Sequence, residues 1–313
     1  MSNADWRPAA GREVLAERAA LLARLRAFFA ERQVLEVETP LLCSGTVTDP
    51  HLVPIRCDER WLQTSPEYAM KRLLAAGSGD IFQISKAFRA GETGTRHNPE
   101  FTMLEWYRTG FTLEQLMLEV VELVCEVLER SHWSSVRYGE LFGRRLGIDP
   151  HRASMEALEE CARSHVNFSG SVDDRDGWLD LLMSHVIEPG MAEEGVVLVS
   201  HYPRSQAALA RLKQQGDILV AERFELFVDG VELANGYLEL SDPQEQAARF
   251  DAENAALSEK GGDTRPRDER LLAALEEGLP DCAGVALGVD RLLMLKLGAK
   301  RLEDVLSFDW HRC

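Results

Sequence analysis

The sequence predicts an α+β fold: an antiparallel β-sheet with helices around it. Three observations predict it. Strand-like and helix-like segments both recur, but without the strand–helix–strand rhythm of a parallel sheet. Two alternating segments, "RFELFVDG" and "VELANGYLEL", meet at Asp229-Gly230, a dipeptide that favours a tight hairpin. The chain has 313 residues, 45% hydrophobic and 28% charged, enough to bury a large core as one big domain or two modest ones.

The elements follow in order. Residues 12–32 carry Leu15, Ala19, Leu22, Leu25 and Phe29 at helical spacing. A short strand, "VLEVETP", stops at Pro40. In "LQTSPEYAMKRLLAAG", Ser65 suits a helix N-cap, Pro66 the first helical position and Gly77 the C-terminal cap. "DIFQISKAFRA" reads as a strand, followed by the loop "GETGT". In "RHNPEFTMLEWYR", Pro99 pushes Asn98 into an extended shape, and the residues from Glu100 alternate. One strand face carries Phe101, Met103, Glu105 and Tyr107; the other carries Glu100, Thr102, Leu104 and Trp106. Helices are expected over 112–130, 154–165, 177–187, 242–259 and 268–277. A strand "CAGVALGV" and a last helix from Asp290 end the chain. The region 135–215 reads as a small helical insertion in one catalytic domain spanning 1–313.

Composition excludes several classes. No apolar run approaches the ~18 residues of a membrane span. The polar start "MSNADWRPAAGREVLAERAA" argues against a signal peptide. Six scattered cysteines without a CxxC pair point to reduced thiols in a cytoplasmic protein. A net charge of -17, with no basic cluster, argues against a module that grips nucleic acid through its phosphates.

Four segments carry candidate chemistry, each with a plainer alternative. In "GVALGVDR", Gly284 and Gly288 let a flat ligand lie on the backbone, or serve close packing alone; Arg291 is placed to reach a phosphate. In "FRAGETGTRHNPEF", Arg89 suits a carboxylate or phosphate clamp and Phe101 an adenine face, or they are a buried ion pair and a core ring. Glu225 and Glu232 flank the hairpin turn. Either cross-strand pairing brings them around a Mg²⁺, or both are solvated. Asn235 and Glu239 follow on the same element.

Together, "VLEVETP", "FR…HNPEF", "ELANGYLE" and "GVALGVDR" resemble the three signature motifs of class II aminoacyl-tRNA synthetases, most closely the lysyl branch. "TSPE" and "HNPEFTMLEWY" are specific to that resemblance, which covers nearly the whole chain. It implies a class II synthetase catalytic fold and a homodimer built around the motif with Pro40. It implies that Arg89 bridges the amino-acid carboxylate and the α-phosphate of ATP, and that Arg291 covers the nucleotide. The nucleotide end would also involve Ala90, Gly91, Glu92, His97, Asn98, Phe101, Glu232, Leu233 and Gly288. Glu225 and Glu232 would bind Mg²⁺. Ser65, Pro66, Glu67, Tyr107, Asn235, Glu239 and Ala286 would line the amino-acid pocket, with Glu67, Tyr107 and Glu239 around the side-chain ammonium.

The chain also departs from that pattern. The resemblance begins almost at once, so no anticodon-binding domain like that of lysyl-tRNA synthetases is expected. That, with "TVTDPHLVPI" and "PDCAGVALGVDR", resembles the elongation factor P–lysine ligase family instead. This resemblance implies activation of (R)-β-lysine with ATP, transfer to a lysine ε-amine on elongation factor P, no tRNA and no membrane. The second motif has Gly91 where a glutamate is usual, with Glu92 one further on. Ala234 and Ala286 replace usual glycines, and their methyls would favour a β-amino acid. No histidine or cysteine is placed as a nucleophile, so no covalent enzyme intermediate is expected. Two rivals stand beside this one: a truncated synthetase that charges tRNA, and a non-catalytic amino-acid sensor.

Overall fold

The structure, a computed structural model, describes residues 6–170 and 172–313. Residues 1–5, the start of the stretch read against a signal peptide, lie outside the described residues, as does Ser171. The chain divides into two compact units. One comprises the chain up to Phe111 together with Ser241–Cys313; the other is Thr112–Leu240.

In the first unit the sheet runs Leu35–Glu36, Ile81–Phe88, Glu100–Thr109, Cys282–Gly288. The first pair is parallel and the next two are antiparallel. The helix Arg12–Glu31 buries Leu21, Leu25, Phe28 and Phe29. Phe29 stacks on Phe82 with ring centroids 4.5 Å apart and meets Trp106 edge-on at 5.2 Å. Such pairs contribute about 0.5–1.5 kcal/mol beyond their area. Trp106 therefore turns to this helix, which leaves Phe101, Met103, Glu105 and Tyr107 on the other face, as the alternation predicts. Pro40 lies just before a small second sheet, Leu42–Cys43, Arg60–Leu62 and Arg56–Cys57.

The helix expected in "LQTSPEYAMKRLLAAG" spans Glu67–Ala75 and buries Met70, Lys71 and Leu74. Its boundary differs by one residue from expectation: Pro66 is the N-cap and offers no side-chain bond. Ser65 still does capping work from one position earlier, its hydroxyl accepting the Glu67 N–H at 3.1 Å. Gly77 follows the helix with φ +86, a left-handed conformation that glycine adopts without steric penalty.

In the second unit the hairpin appears as Ile218–Val228 and Val231–Leu238, with Asp229 and Gly230 both at positive φ. Val196–Pro203 pairs antiparallel with Ile218–Val228 and parallel with Trp133–Arg137. The stretch 135–215 carries the helices Tyr138–Leu146, Met155–His165 and Arg175–Leu182, and also the strands Val196–Pro203 and Leu212–Gln215. "VVLVSHYP" is nearly all buried, which is what a strand paired on both sides requires. Tyr138, Phe142, Trp178 and Tyr202 anchor this unit's core; Tyr138 stacks on Phe142 at 4.4 Å. The architecture is α+β. Its sheets are antiparallel except at the pairs formed by Leu35–Glu36 and Trp133–Arg137. No helix among the described residues is long and apolar enough to cross a membrane.

Candidate active site

The first unit gathers a buried polar cluster on the free face of Glu100–Thr109. Glu105 is 2% exposed. Ser65 donates to its Oε2 and Tyr107 to its Oε1, both at 2.7 Å. Hydroxyl-to-carboxylate bonds this short are charge-assisted and hold the carboxylate in one orientation. One helical turn away, Lys71 Nζ lies 2.6 Å from Glu67 Oε1, and Lys71 is 1% exposed. A buried ammonium needs such a partner.

Register explains the shape of this face. Glu105 pairs with Gln83 on one side and Ala286 on the other, Tyr107 with Gly284, and Met103 with Gly288. The strand Cys282–Gly288 thus presents two glycines and one methyl beside the carboxylate and the phenol. A Cβ added at Gly288 would meet only the Arg291 side chain, at 3.7 Å or more. Packing within the chain does not demand glycine there, which leaves the room to a ligand.

Arg89 follows the strand Ile81–Phe88 and sits over the Phe101 ring at 5.1 Å, a cation–π contact. Its Nε bonds the Thr64 carbonyl at 3.4 Å, and Glu92 lies 3.7 Å from Nη1, a loose pair. Gly91 has φ +79, a left-handed turn that glycine adopts freely, and Ala90 N–H bonds Val53 O at 2.8 Å. Across the loop, Arg291 Nη2 lies 2.7 Å from His97 Nε2. A guanidinium only donates, so His97 accepts there as a neutral ring. Next to Arg291 in the chain, Asp290 takes Thr102 N–H at 2.7 Å and an Arg18 ion pair. Asn98, expected at the adenine, bonds the chain here: Nδ2 donates to Glu100 O at 2.6 Å and Oδ1 accepts Trp310 N–H at 2.9 Å.

In the second unit, Glu225 pairs across the hairpin with Asn235, and Glu232 with Phe227. Between them the register shifts at Leu226/Phe227, so Leu233 is the extra residue of a β-bulge. In an unbroken strand Glu232 and Asn235 would face opposite ways. The bulge brings Glu232, Asn235 and Tyr237 onto the face that carries Arg223 and Glu225. Arg223 donates to Glu225 Oε1 at 2.5 Å, to Asn235 Oδ1 at 3.2 Å and to Gln206 O at 2.7 Å. Tyr202 OH donates to Glu225 Oε2 at 2.7 Å. Burial pushes the Glu225 carboxyl up, and Glu232 adds to this, against Arg223 and the Tyr202 hydrogen bond. Glu239 is buried, beside an isolated bridge to Ala210.

Several polar residues of these clusters were not singled out from the sequence, Lys71 among them. Glu105 was placed on the right face but given no role. Arg223 sits two residues from Glu225, so alternation put both on one face. Tyr202 carried no local signal. All six cysteines are free thiols. Among the described residues no group of three or more His, Cys, Asp or Glu side chains gathers to hold a metal.

The family model described as tRNA synthetases class II (D, K and N) matches residues 2–311. A protein of Haemophilus influenzae (strain PittGG) named elongation factor P–(R)-beta-lysine ligase is 48% identical over 313 residues, covering 97% of each chain. Proteins of the same name from Proteus mirabilis (strain HI4320) and Salmonella paratyphi B are 47% identical, over 99% and 98% of this chain and 98% of theirs. The fold expected from the motifs, a class II synthetase catalytic fold, is the one this match carries. The chain belongs to the class II tRNA synthetase family (D, K and N).

Proposed function

We propose that the protein is an ATP-dependent ligase. It activates (R)-β-lysine as an adenylate and transfers it to the ε-amine of a lysine on translation elongation factor P. The observation that carries this reading is the end-to-end match to relatives of that name, at 47–48% identity over at least 97% of each chain. The buried carboxylate Glu105 with its Ser65 and Tyr107 donors supports it, because an ammonium substrate needs a fixed negative partner. We further propose one catalytic domain, a homodimer and a cytoplasmic location, with no tRNA acceptor.

In the first step the substrate carboxylate oxygen attacks the α-phosphorus of ATP, and the bond to the β-phosphate breaks as pyrophosphate leaves. Arg89 and Arg291 act on the charge that builds on the phosphates, by position and electrostatics. Phe101 offers the adenine a face beside Arg89. In the second step the acceptor amine attacks the acyl carbon, loses its proton, and AMP leaves. Ala286 sits opposite Glu105, so its methyl narrows the shelf where a glycine would leave more room.

The hairpin fits Mg²⁺, which takes one or two carboxylates and leaves its other positions to water and phosphates. Glu225 and Glu232 share a face, and Glu232 already raises the Glu225 carboxyl, a repulsion that a cation would relieve. When bound, Mg²⁺ would neutralise phosphate charge. Arg223, Tyr202 and Asn235 keep the carboxylate in place.

ATP–pyrophosphate exchange tests the first step. Exchange that depends on (R)-β-lysine is expected; its absence with every lysine isomer would leave a sensor that kept the pocket and lost the chemistry.

A further inference from the structure

The helix Glu67–Ala75 has two working faces. Glu67 and Lys71 share one; Tyr68 and Arg72, also four residues apart, share the next, about 100° around the helix. The second face borders a pocket within the same unit, walled by the segment 43–47 and ringed by Arg60, Thr64, Arg72 and Arg270.

Three features of that pocket are unexplained by the reaction above. First, Arg60 and Arg72 are exposed, and among the described residues neither guanidinium has a hydrogen-bond or ion-pair partner. This happens in a chain with 52 acidic residues against 35 basic ones, where a carboxylate partner is easily supplied. Arg270 bonds only a neutral group, the Ser44 hydroxyl, at 2.5 Å. Second, Thr64 is 2% exposed and its hydroxyl has no hydrogen-bond partner. A buried polar group left so costs stability. Third, the first turn of a nine-residue helix lines the same space, and its positive end favours an anion. Cys43 reports that the charges converge. Burial raises its thiol, Asp268 adds to that, and Arg72 and Arg60 both act against it.

Two carboxylates, Asp268 and Glu67, also line the pocket, and each has other partners. Asp268 Oδ1 caps the helix Glu269–Gly278 by accepting from Arg270 N and Leu271 N. Glu67 is held by Lys71. Three guanidiniums therefore outnumber the carboxylates that could answer them. A multiply charged oxyanion suits this better than a single carboxylate, because guanidinium forks match phosphate oxygens.

We propose that this pocket binds a phosphate-class oxyanion, inorganic phosphate or pyrophosphate, through Arg60, Arg72 and Arg270. Thr64 joins the pocket to the proposed catalytic arginine: it is one of the lining residues, and its carbonyl accepts from Arg89 Nε. The pocket shares Ser65, Pro66 and Glu67 with the proposed amino-acid pocket, and anion binding without ATP or an amine substrate tests it separately from the ligase reading.

The test is titration calorimetry of the full chain with phosphate and, separately, with pyrophosphate. It is paired with the rate of Cys43 alkylation, read peptide by peptide. The double variant Arg60→Ala/Arg72→Ala changes two exposed side chains and is expected to fold. It should bind at least about tenfold more weakly, and the anion should slow Cys43 alkylation in the natural protein only. Adenylation measured without added phosphate should be unchanged. Binding of pyrophosphate alone marks a diphosphate site; binding of both marks a single phosphate seat. Equal affinity in the variant, no binding by the natural protein, or loss only in Arg291→Ala would overturn the proposal. So would a changed oligomeric state in the variant with anion affinity intact, since the arginines would then face a second copy.

Discussion

Glu105 and Glu225 are both buried on sheet faces, one in each unit, and their surroundings differ. Glu105 takes two hydroxyls, from Ser65 and Tyr107. Glu225 takes the Arg223 guanidinium and the Tyr202 hydroxyl. Hydroxyls satisfy the lone pairs of a carboxylate without cancelling its charge; a guanidinium does both. The first arrangement holds a carboxylate in one orientation on the face proposed for the amine. The second fixes a carboxylate as a rigid part, one of a pair facing Glu232. The comparison teaches that burial alone does not mark a binding carboxylate; the kind of donor around it does.

The largest effect should come from breaking the charged arrangement. Arg223 is half-buried, and although desolvation works against its charge, Glu225, Tyr237 and Tyr202 push its pKa up. Arg223→Leu would leave Glu225 unanswered, at a cost of about 3–5 kcal/mol. Melting should fall by roughly 5–8 °C. A shift of a degree or two in calorimetry would mean that the pair is dispensable and the contrast with Glu105 empty.

Next come the carboxylates assigned to the amine. Glu105→Gln should keep the shape and lose the charge, weakening kcat/KM for the amine substrate about tenfold to hundredfold, with the KM for ATP unchanged. Glu239→Gln is expected to do the same. Stopped activation assays over both substrates read this directly. If Glu105→Gln raises the KM for ATP and not for the amine, the carboxylate is structural.

How much of this was legible beforehand follows from the same residues. The alternation of Glu100–Thr109 placed Glu105 and Tyr107 on one face, and Asp229-Gly230 marked the hairpin, because pleat and turn are local properties. The bulge at Leu226/Phe227 was not legible. It depends on two strands at once, and it decides that Glu232 and Asn235 share a face with Glu225. Lys71 was readable as a partner four residues from Glu67, but its burial is tertiary. Val196–Pro203 was passed over as part of a helical stretch, although its unbroken apolar run was the available signal for a strand paired on both sides. Pairing of Tyr202 with Glu225 spans 23 residues and has no local trace.

A third carboxylate sharpens the comparison with the smallest effect. Glu253 pairs with the Thr48 hydroxyl, and Arg265 Nη1 ties the same loop through the carbonyls of Val47, Asp49 and Leu52. Burial lifts the Glu253 carboxyl from 4.5 to about 7, with Asp49 adding and the Thr48 bond opposing. A carboxyl raised on folding stabilises the protein fully below its unfolded value, and that stability is lost as pH rises through the folded value. The natural protein should therefore lose melting temperature as pH climbs from about 5 to 8. Glu253→Gln should flatten that slope by a few degrees; parallel curves for the two proteins would remove Glu253 as its source.

The central claim is the transfer itself, and the intact mass of elongation factor P tests it most directly. After incubation with enzyme, ATP and (R)-β-lysine, the acceptor should gain one lysyl residue. The gain should survive ribonuclease and vanish when the acceptor lysine is replaced by arginine, whose guanidinium stays protonated and cannot attack. An unmodified elongation factor P beside efficiently charged tRNA would contradict the account and make the protein a truncated synthetase.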